Sequence, residues 1–259
     1  MTEPKPAAGG GDHYSYAHYA NRDVAEGFDT LRFGGPIGLY LLETQQRLLL
    51  DAAEPRLSQP GARGSFAALD VGTGTGRAAL ALAQAGAQVV GVDASNEMLD
   101  VARARATQLA VAARFEHGDA HALTFADGAF DLAVSFRVLM HTPDWRRCVS
   151  ELCRVSRWRV VVDFPALGSA AALESGARRL RHAMGTKVEA YRVMSERSVR
   201  DAFAARGFRV VSTHRQFVLP IALHKAVGSL GVTKGVESAL AAIGLRRAFG
   251  SPVTMVAER

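Results

Sequence analysis

Cysteine is nearly absent: the 259-residue chain has two, Cys148 and Cys153, five positions apart. That spacing makes neither a disulfide framework nor a metal-ligand set. Both read as reduced core thiols, and no metal site is expected. Long apolar runs are missing too, since none approaches the ~20 residues that span a bilayer. The opening "MTEPKPAAGGGD" has no apolar core, so residues 1–12 are expected to be a disordered tail and the location cytoplasmic by default. Lysine is scarce, with only Lys5, Lys187, Lys225 and Lys234, and the net charge of +6 rests on arginines that are scattered or paired. A nucleic-acid footprint would be clustered, so no nucleic-acid partner is expected.

What is present is an apolar fraction of 48%, enough in a chain of this length for a sizeable core. Pro36 opens a helix carrying Ile37, Leu41 and Leu48, expected to stop near Glu54 before Pro55. "SQPGARGS" is a turn-rich linker. Strands then fall near 66–71, 88–93, 113–117, 130–136 and 158–164, with helices over roughly 75–85, 95–110 and 143–155. Ser95 caps the second of these helices, and Thr142 before Pro143 the third. This alternation means an α/β fold with a doubly wound, mostly parallel sheet. After 164 come a helical stretch at 168–184, a helix capped by Ser195 that stops at Gly207, and the strand "FRVVSTHRQFVL". A Gly-punctuated segment, 225–250, leads to a last strand, "SPVTMVAER". Two closing strands without a full crossover helix point to an antiparallel pair at one sheet edge.

The chemistry concentrates in "LDVGTGTGRAALALAQAGAQVVGVDAS", residues 69–95. A glycine turn after the first strand lets backbone approach a ligand, and an acid ending the second strand, Asp93, can bond both hydroxyls of a ribose. The dinucleotide fingerprint G-x-G-x-x-G is not met. Gly72, Gly74 and Gly76 run G-x-G-x-G, and Arg77 stands where the third glycine belongs. Asp70, just before the loop, would repel a pyrophosphate but favours an ammonium and a sulfonium. S-adenosylmethionine (SAM) carries both charges and no phosphate, so the loop reads as a SAM loop.

"LDVGTGTGRAALALA", "VVGVDASNEMLDVARARA", "FEHGDAHALTFADGAFDLAVSFRVLMHTPDW" and "GFRVV" resemble the class I SAM-dependent methyltransferases, most of all the branch with the ubiquinone and menaquinone methyltransferases. The resemblance implies a Rossmann-like, seven-stranded sheet whose last strand is antiparallel. It also implies one methyltransferase domain over 13–259, with a helical cap at 13–60, a SAM-binding core at 66–165, and an acceptor cap with closing strands at 166–259. Under it, Asp70, Gly72, Gly74 and Gly76 would line the methionine and ribose side, and Asp93 would hold the ribose. Met98 would pack near the adenine, or serve as ordinary helix core. Asp119 with Ala120 would receive the adenine amino group, or Asp119 would be a turn acid.

Ligands of doubly wound folds sit beyond the carboxyl ends of the strands. Acceptor-side candidates there are Phe136, Arg137, His141, Asp163 and Phe164. His141 could take a phenol proton, since imidazoles titrate near ~6.5, or could simply be hydrogen-bonded at a helix start. Arg137 could pair with the SAM carboxylate or an acidic acceptor, or be a surface ion-pair partner. Tyr14, Tyr16 and Tyr19 could fold over the sulfonium through cation–π attraction or pin the tail to the core. Tyr191 and 168–194 are expected to cap the acceptor. Residues 217–250, with Lys225, Lys234, Arg246 and Arg247, could be a lid, an anionic-membrane contact or an insertion packed on the sheet edge.

The function expected is methyl transfer from SAM to a small-molecule acceptor, a quinol, phenol or lipid-like compound. The alternatives are an RNA or DNA methyltransferase and a SAM-binding regulatory protein without chemistry. The D/N-P-P-Y/F tetrad of base-amino methylation is replaced after the fourth strand by "SFRV", and the Pro-Cys nucleophile of cytosine C5 methylation is absent. The sequence leaves the oligomeric state open.

Overall fold

In this computed structural model the described residues are 33–183 and 191–259. The expected tail at 1–12 and the tyrosines Tyr14, Tyr16 and Tyr19 lie outside them. A long helix, α1 (Gly35–Leu57), comes first. The core then alternates β1 (Ala67–Val71), α2 (Arg77–Gln84), β2 (Gln88–Asp93), α3 (Asn96–Gln108), β3 (Arg114–His117), β4 (Phe130–Ser135), α4 (Trp145–Val155) and β5 (Ser156–Phe164). Beyond it lie α5 (Ala170–Ala183), α6 (Glu196–Ala204), β6 (Arg209–Phe217), α7 (Ile221–Val227), α8 (Leu230–Ala242), α9 (Leu245–Phe249) and β7 (Ser251–Glu258).

The seven strands form one sheet in the order β3-β2-β1-β4-β5-β7-β6. β1 to β5 pair in parallel, whereas β7 runs antiparallel to both neighbours. The antiparallel strand is therefore one place in from the edge, held between β5 and β6. The chain winds outward from β1 through β2 to β3, then returns to lay β4 on the other side. That reversal opens a crevice at the carboxyl ends of β1 and β4, where doubly wound folds bind ligands.

Both faces of the central strands are covered, so β1, β4 and β5 are buried nearly throughout. Leu69, Val71, Val160 and Val162 join one core with α4 and α6. Ala68 and Val161 point the other way, into a core with α1, α2 and α3. Successive residues alternate between the two cores, as the pleat requires. Cys148 and Cys153 are free and buried against the first core, and burial pushes both thiols up to about 12.

Local signals set most helix starts. The Ser95 side chain accepts from Met98 N, and that of Ser195 from Ser198 N, as expected of N-caps. Two boundaries differ. Asp144, not Thr142, caps α4 by accepting from Arg147 N, because the Thr142 hydroxyl is turned back to the Leu139 carbonyl. Helix α1 runs past Pro55 to Leu57. A proline in the last turn removes one N–H, a small loss beside the burial of Ala53 and Leu57. The segment 225–250 is also more regular than its glycines imply, for it forms most of α7 to α9, with Ser229 capping α8.

Leu132 lies at the centre of β4 with 0% exposure. Leu132→Ala should lower unfolding free energy by roughly 2–5 kcal/mol in urea denaturation, the usual cost of such a cavity. A loss under about 1 kcal/mol would mean that the site collapses around the smaller side chain.

Candidate active site

The turn after β1 is tied to the end of β2. Gly72 N and Thr73 N both donate to the Val92 carbonyl, and Gly74 N donates to Asp93 Oδ2 at 2.8 Å. Asp93 Oδ1 accepts from Ser95 N at 2.9 Å, so one carboxylate joins the glycine turn to the start of α3. Asp70 braces the same turn from below, its Oδ2 accepting from Thr73 Oγ1 at 2.7 Å and Ala79 N at 3.1 Å.

The glycines have different duties. Gly74 has φ +53°, and a Cβ built on it would meet no protein atom within 4 Å. It faces the open crevice, so a ligand could lie directly on its backbone. Gly76, at φ +83°, is packed instead: its Cβ would stand 3.0 Å from that of Ala102 and 3.3 Å from the Phe115 ring. It brings α2 against α3 and does not line the crevice. At Gly72 a side chain would collide with Val138 from the β4 loop.

The crevice is a cavity of about 520 Å³ lined by Asp70, Gly72, Gly74, Asp93, Ser95 and Met98 and, on its far side, by Gly118, Ala120, Arg137 and His141. Met98 is buried in α3 and also reaches this wall. Asp119 makes the bonds of a turn acid, the other of its two readings. Gly118 and Ala120 line the cavity but Asp119 does not; its Oδ1 accepts from His121 N and lies 2.7 Å from the His121 ring.

A second cavity of about 270 Å³ adjoins the first, and Arg137 and His141 border both. Its walls are largely apolar and aromatic: Phe33, Leu41, Met140, Phe164, Tyr191 and Phe217. Phe136 is half-buried at the wall of the first cavity only. Tyr191 lies where a cap residue was expected, its hydroxyl donating to the Ala171 carbonyl of α5.

Asp163, near the end of β5 and 2% exposed, borders the second cavity. Its Oδ2 accepts from Gln45 Nε2 of α1 at 2.8 Å, and its Oδ1 accepts from Arg137 N. Arg137 has φ +61°, a conformation costly for a side-chain-bearing residue. The carboxylate holds that backbone in place, and with it the turn through Val138 to His141, where His141 N donates to the Val138 carbonyl.

Sequence reading overlooked Arg77 and Gln45. Arg77 lines the first cavity with its guanidinium 3.6 Å from the centre of the Phe33 ring. Its place in the spot of a missing third glycine was the available signal. Gln45 is a polar residue on the buried stripe of α1, which was the signal there.

Burial governs the electrostatics. It pushes the Asp93 and Asp163 carboxyls above their ordinary range, against the N–H donors that each accepts. For Asp70 burial outweighs the Thr73 and Ala79 bonds and pushes the carboxyl up to about 6.

Residues 69–159, about a third of the chain, match the methyltransferase-domain family. The demethylmenaquinone methyltransferase of Thermus thermophilus is 42% identical over 105 residues, 38% of this chain and 46% of that protein. The methyltransferase YcgJ of Bacillus subtilis is 37% identical over 94 residues, 36% of this chain and 37% of its own length. The chain thus spans under half the length of these curated relatives. In fold, the magnesium protoporphyrin IX methyltransferase of Synechocystis, solved with bound SAH, superposes with a TM-score of 0.64 at 20% identity, covering 94% of this chain and 99% of that one.

Asp70 yields a test by pH. Between its ordinary value of 3.8 and about 6 the folded protein holds a proton that the unfolded chain has released. Stability therefore falls as pH rises through that window, and the full cost is present above it. Asp70→Asn abolishes this titration while keeping an acceptor for Ala79 N. The stability of the wild type relative to the variant should decline between about pH 4 and pH 6 in urea denaturation. Parallel curves would place the Asp70 titration elsewhere.

Proposed function

We propose that the chain is a SAM-dependent methyltransferase acting on a small molecule with an apolar body, a quinol, phenol or lipid-like compound. The observation that carries this reading is the meeting of two cavities at Arg137 and His141. One is framed by a glycine turn and an acid, the other by aromatic and aliphatic side chains. In this reading 66–165 is the SAM-binding core and 166–259 the acceptor cap of one cytoplasmic enzyme. Among the described residues no helix is long and apolar enough to cross a membrane.

The residues present fit SAM. Gly74 leaves its backbone open to the first cavity, and Asp93 ends β2 with a half-buried carboxylate whose remaining lone pairs can accept from two vicinal hydroxyls. Ala120 and Met98 would flank the adenine, and Gly72 and Asp70 the methionine end. Asp70 would be anionic at neutral pH and so favour an ammonium and a sulfonium. Arg77 and Arg137 would answer the amino-acid carboxylate. Gly76 would act on the ligand only through packing, and Asp119 through the turn that presents Gly118 and Ala120. When bound, SAM supplies a methyl group already activated on a sulfonium.

The chain's own part is then mostly positioning. The second cavity would seat the apolar body of the acceptor, with Arg137 and His141 at the passage to the first. His141, 7% exposed, would accept the proton of an acceptor hydroxyl as its oxygen attacks. Asp163 would keep the Arg137–His141 turn in register through Arg137 N. A cavity of about 270 Å³ with aromatic walls suits a compact apolar acceptor and favours this reading over a nucleic acid. Turnover of SAM to S-adenosylhomocysteine separates it from a SAM-binding protein without chemistry.

Two measurements test the reading. In calorimetry Asp93→Ala should weaken SAM by roughly 1–3 kcal/mol, the worth of hydrogen bonds to a charged group. Unchanged affinity would remove the ribose assignment, and tighter binding of NAD would remove the reading as a whole. In turnover with a phenol or quinol series, His141→Ala should lower kcat by ~10²–10⁴-fold with little change in SAM affinity. His141→Asn keeps a hydrogen bond but cannot act as a base near neutral pH. Near-full activity in the Asn variant would make His141 a positioning group, and full activity in both variants a structural one.

A further inference from the structure

Helices α7 to α9, residues 221–249, have their polarity reversed for a surface insertion. The buried residues of α7 and α8 are His224, Thr233 and Glu237, all polar. Glu237 accepts from Val218 N at 2.8 Å, Leu219 N at 3.0 Å and His224 Nε2 at 2.9 Å, while Thr233 Oγ1 lies 3.2 Å from His224 Nδ1. The polar network fastens the insertion to the end of β6. Six large apolar residues face outward instead.

Among the described residues ten large apolar side chains are exposed, and six belong to this short segment: Leu223, Val227, Val232, Val236, Ile243 and Phe249. Ile243 is 72% exposed and Phe249 48%. Val232, Val236 and Ile243 recur at helical spacing along one side of α8 and its C-cap, as Leu223 and Val227 do on α7. Scattered exposed apolar residues need no explanation, but a cluster of this size does.

The charge says what covers it. Arg246 and Arg247 are exposed in this segment and its one acid, Glu237, is buried, whereas Lys234 lies over the Tyr40 ring and Lys225 lines the second cavity. A second copy laid face to face would oppose arginine to arginine. An apolar surface fringed by cations matches the boundary between the acyl chains and headgroups of an anionic bilayer. No helix here is built to span, so the contact is peripheral.

We propose that α7–α9 dock on an anionic membrane surface, with Ile243 and Phe249 entering the headgroup boundary and Arg246 and Arg247 against lipid phosphates. Ile221, Ala222 and Lys225, on the side of α7 opposite Leu223 and Val227, line the second cavity, so the helix whose outer side meets the lipid roofs that cavity with its inner side. On the methyltransferase reading, an acceptor dissolved in the bilayer enters from this side. The docking itself rests on the surface alone.

Co-sedimentation of the full chain with vesicles of phosphatidylcholine plus phosphatidylglycerol, against pure phosphatidylcholine, tests it without any assay of methyl transfer. Partitioning should favour the anionic vesicles and weaken as salt rises. Arg246→Ala with Arg247→Ala should lower it roughly 30-fold, and Ile243→Ser with Phe249→Ser at least ~10-fold. Thermal unfolding and SAM binding should stay as in the wild type, because these side chains are exposed and outside both cavities. Equal partitioning to both vesicle types, absence of partitioning, or unchanged binding by both double variants would overturn the proposal. So would a dimer in sedimentation velocity that the same substitutions dissociate, since the face would then belong to a second copy. A protein that partitions as expected yet turns over no SAM keeps the docking and loses the methyltransferase reading, and the reverse result separates them the other way.

Discussion

Asp93 accepts the Gly74 N–H with one carboxylate oxygen and the Ser95 N–H with the other, and the geometry of the first cavity depends on that pairing. A glycine turn has little stiffness of its own, so its path has to be imposed from outside. Here it is imposed by the strand that lies beside it: the acid ending β2 grips the turn leaving β1 and the N-terminus of α3 together. The arrangement keeps a charge in a low-dielectric place, which costs stability unless N–H donors surround it. Asp70 repeats the device underneath, through Thr73 and Ala79. The result is a turn that is open at Gly74, packed at Gly76 and fixed between.

The second half of the site depends on Asp163 in the same way. One oxygen takes the Gln45 amide from α1, and the other takes the backbone of Arg137 in its left-handed conformation. Three segments far apart in the chain thereby meet at the end of β5. Because Arg137 is the first residue of the turn that carries His141, a side chain on α1 bears on the passage between the cavities.

The closing part of the chain follows another logic. Residues 69–159 carry the family match, and α7–α9 lie wholly outside it. There buried polar residues make the attachment to the end of β6, and six large apolar ones are turned outward. A core that selects for close packing would not produce that pattern; a surface that works against something apolar would.

Much of the core was legible from sequence because its signals are local or periodic. Short apolar runs with β-branched residues mark β1, β2, β4 and β5 within a residue or two of their bounds. Ser95 and Ser195 cap their helices because a hydroxyl needs to reach only three residues ahead. Asp93 and the alternating glycines announce a ligand turn by type and spacing alone. The remainder turned on contacts between distant segments. Thr142 and Asp144 are both able caps, and the Leu139 carbonyl decided between them. The individual duties of Gly74 and Gly76 follow from what stands opposite each, open space or Ala102. Asp119 Oδ1 is engaged within its own turn by His121 N and the His121 ring. That β7 inserts between β5 and β6 is a matter of strand pairing, which residue pattern constrains weakly. The sequence by itself determined an alternating α/β core with a glycine turn and an acid at its ligand edge, since both are encoded in residues a few positions apart. Tertiary structure alone decided which of these side chains face the cavities, because burial and hydrogen-bond partners are supplied from across the sheet.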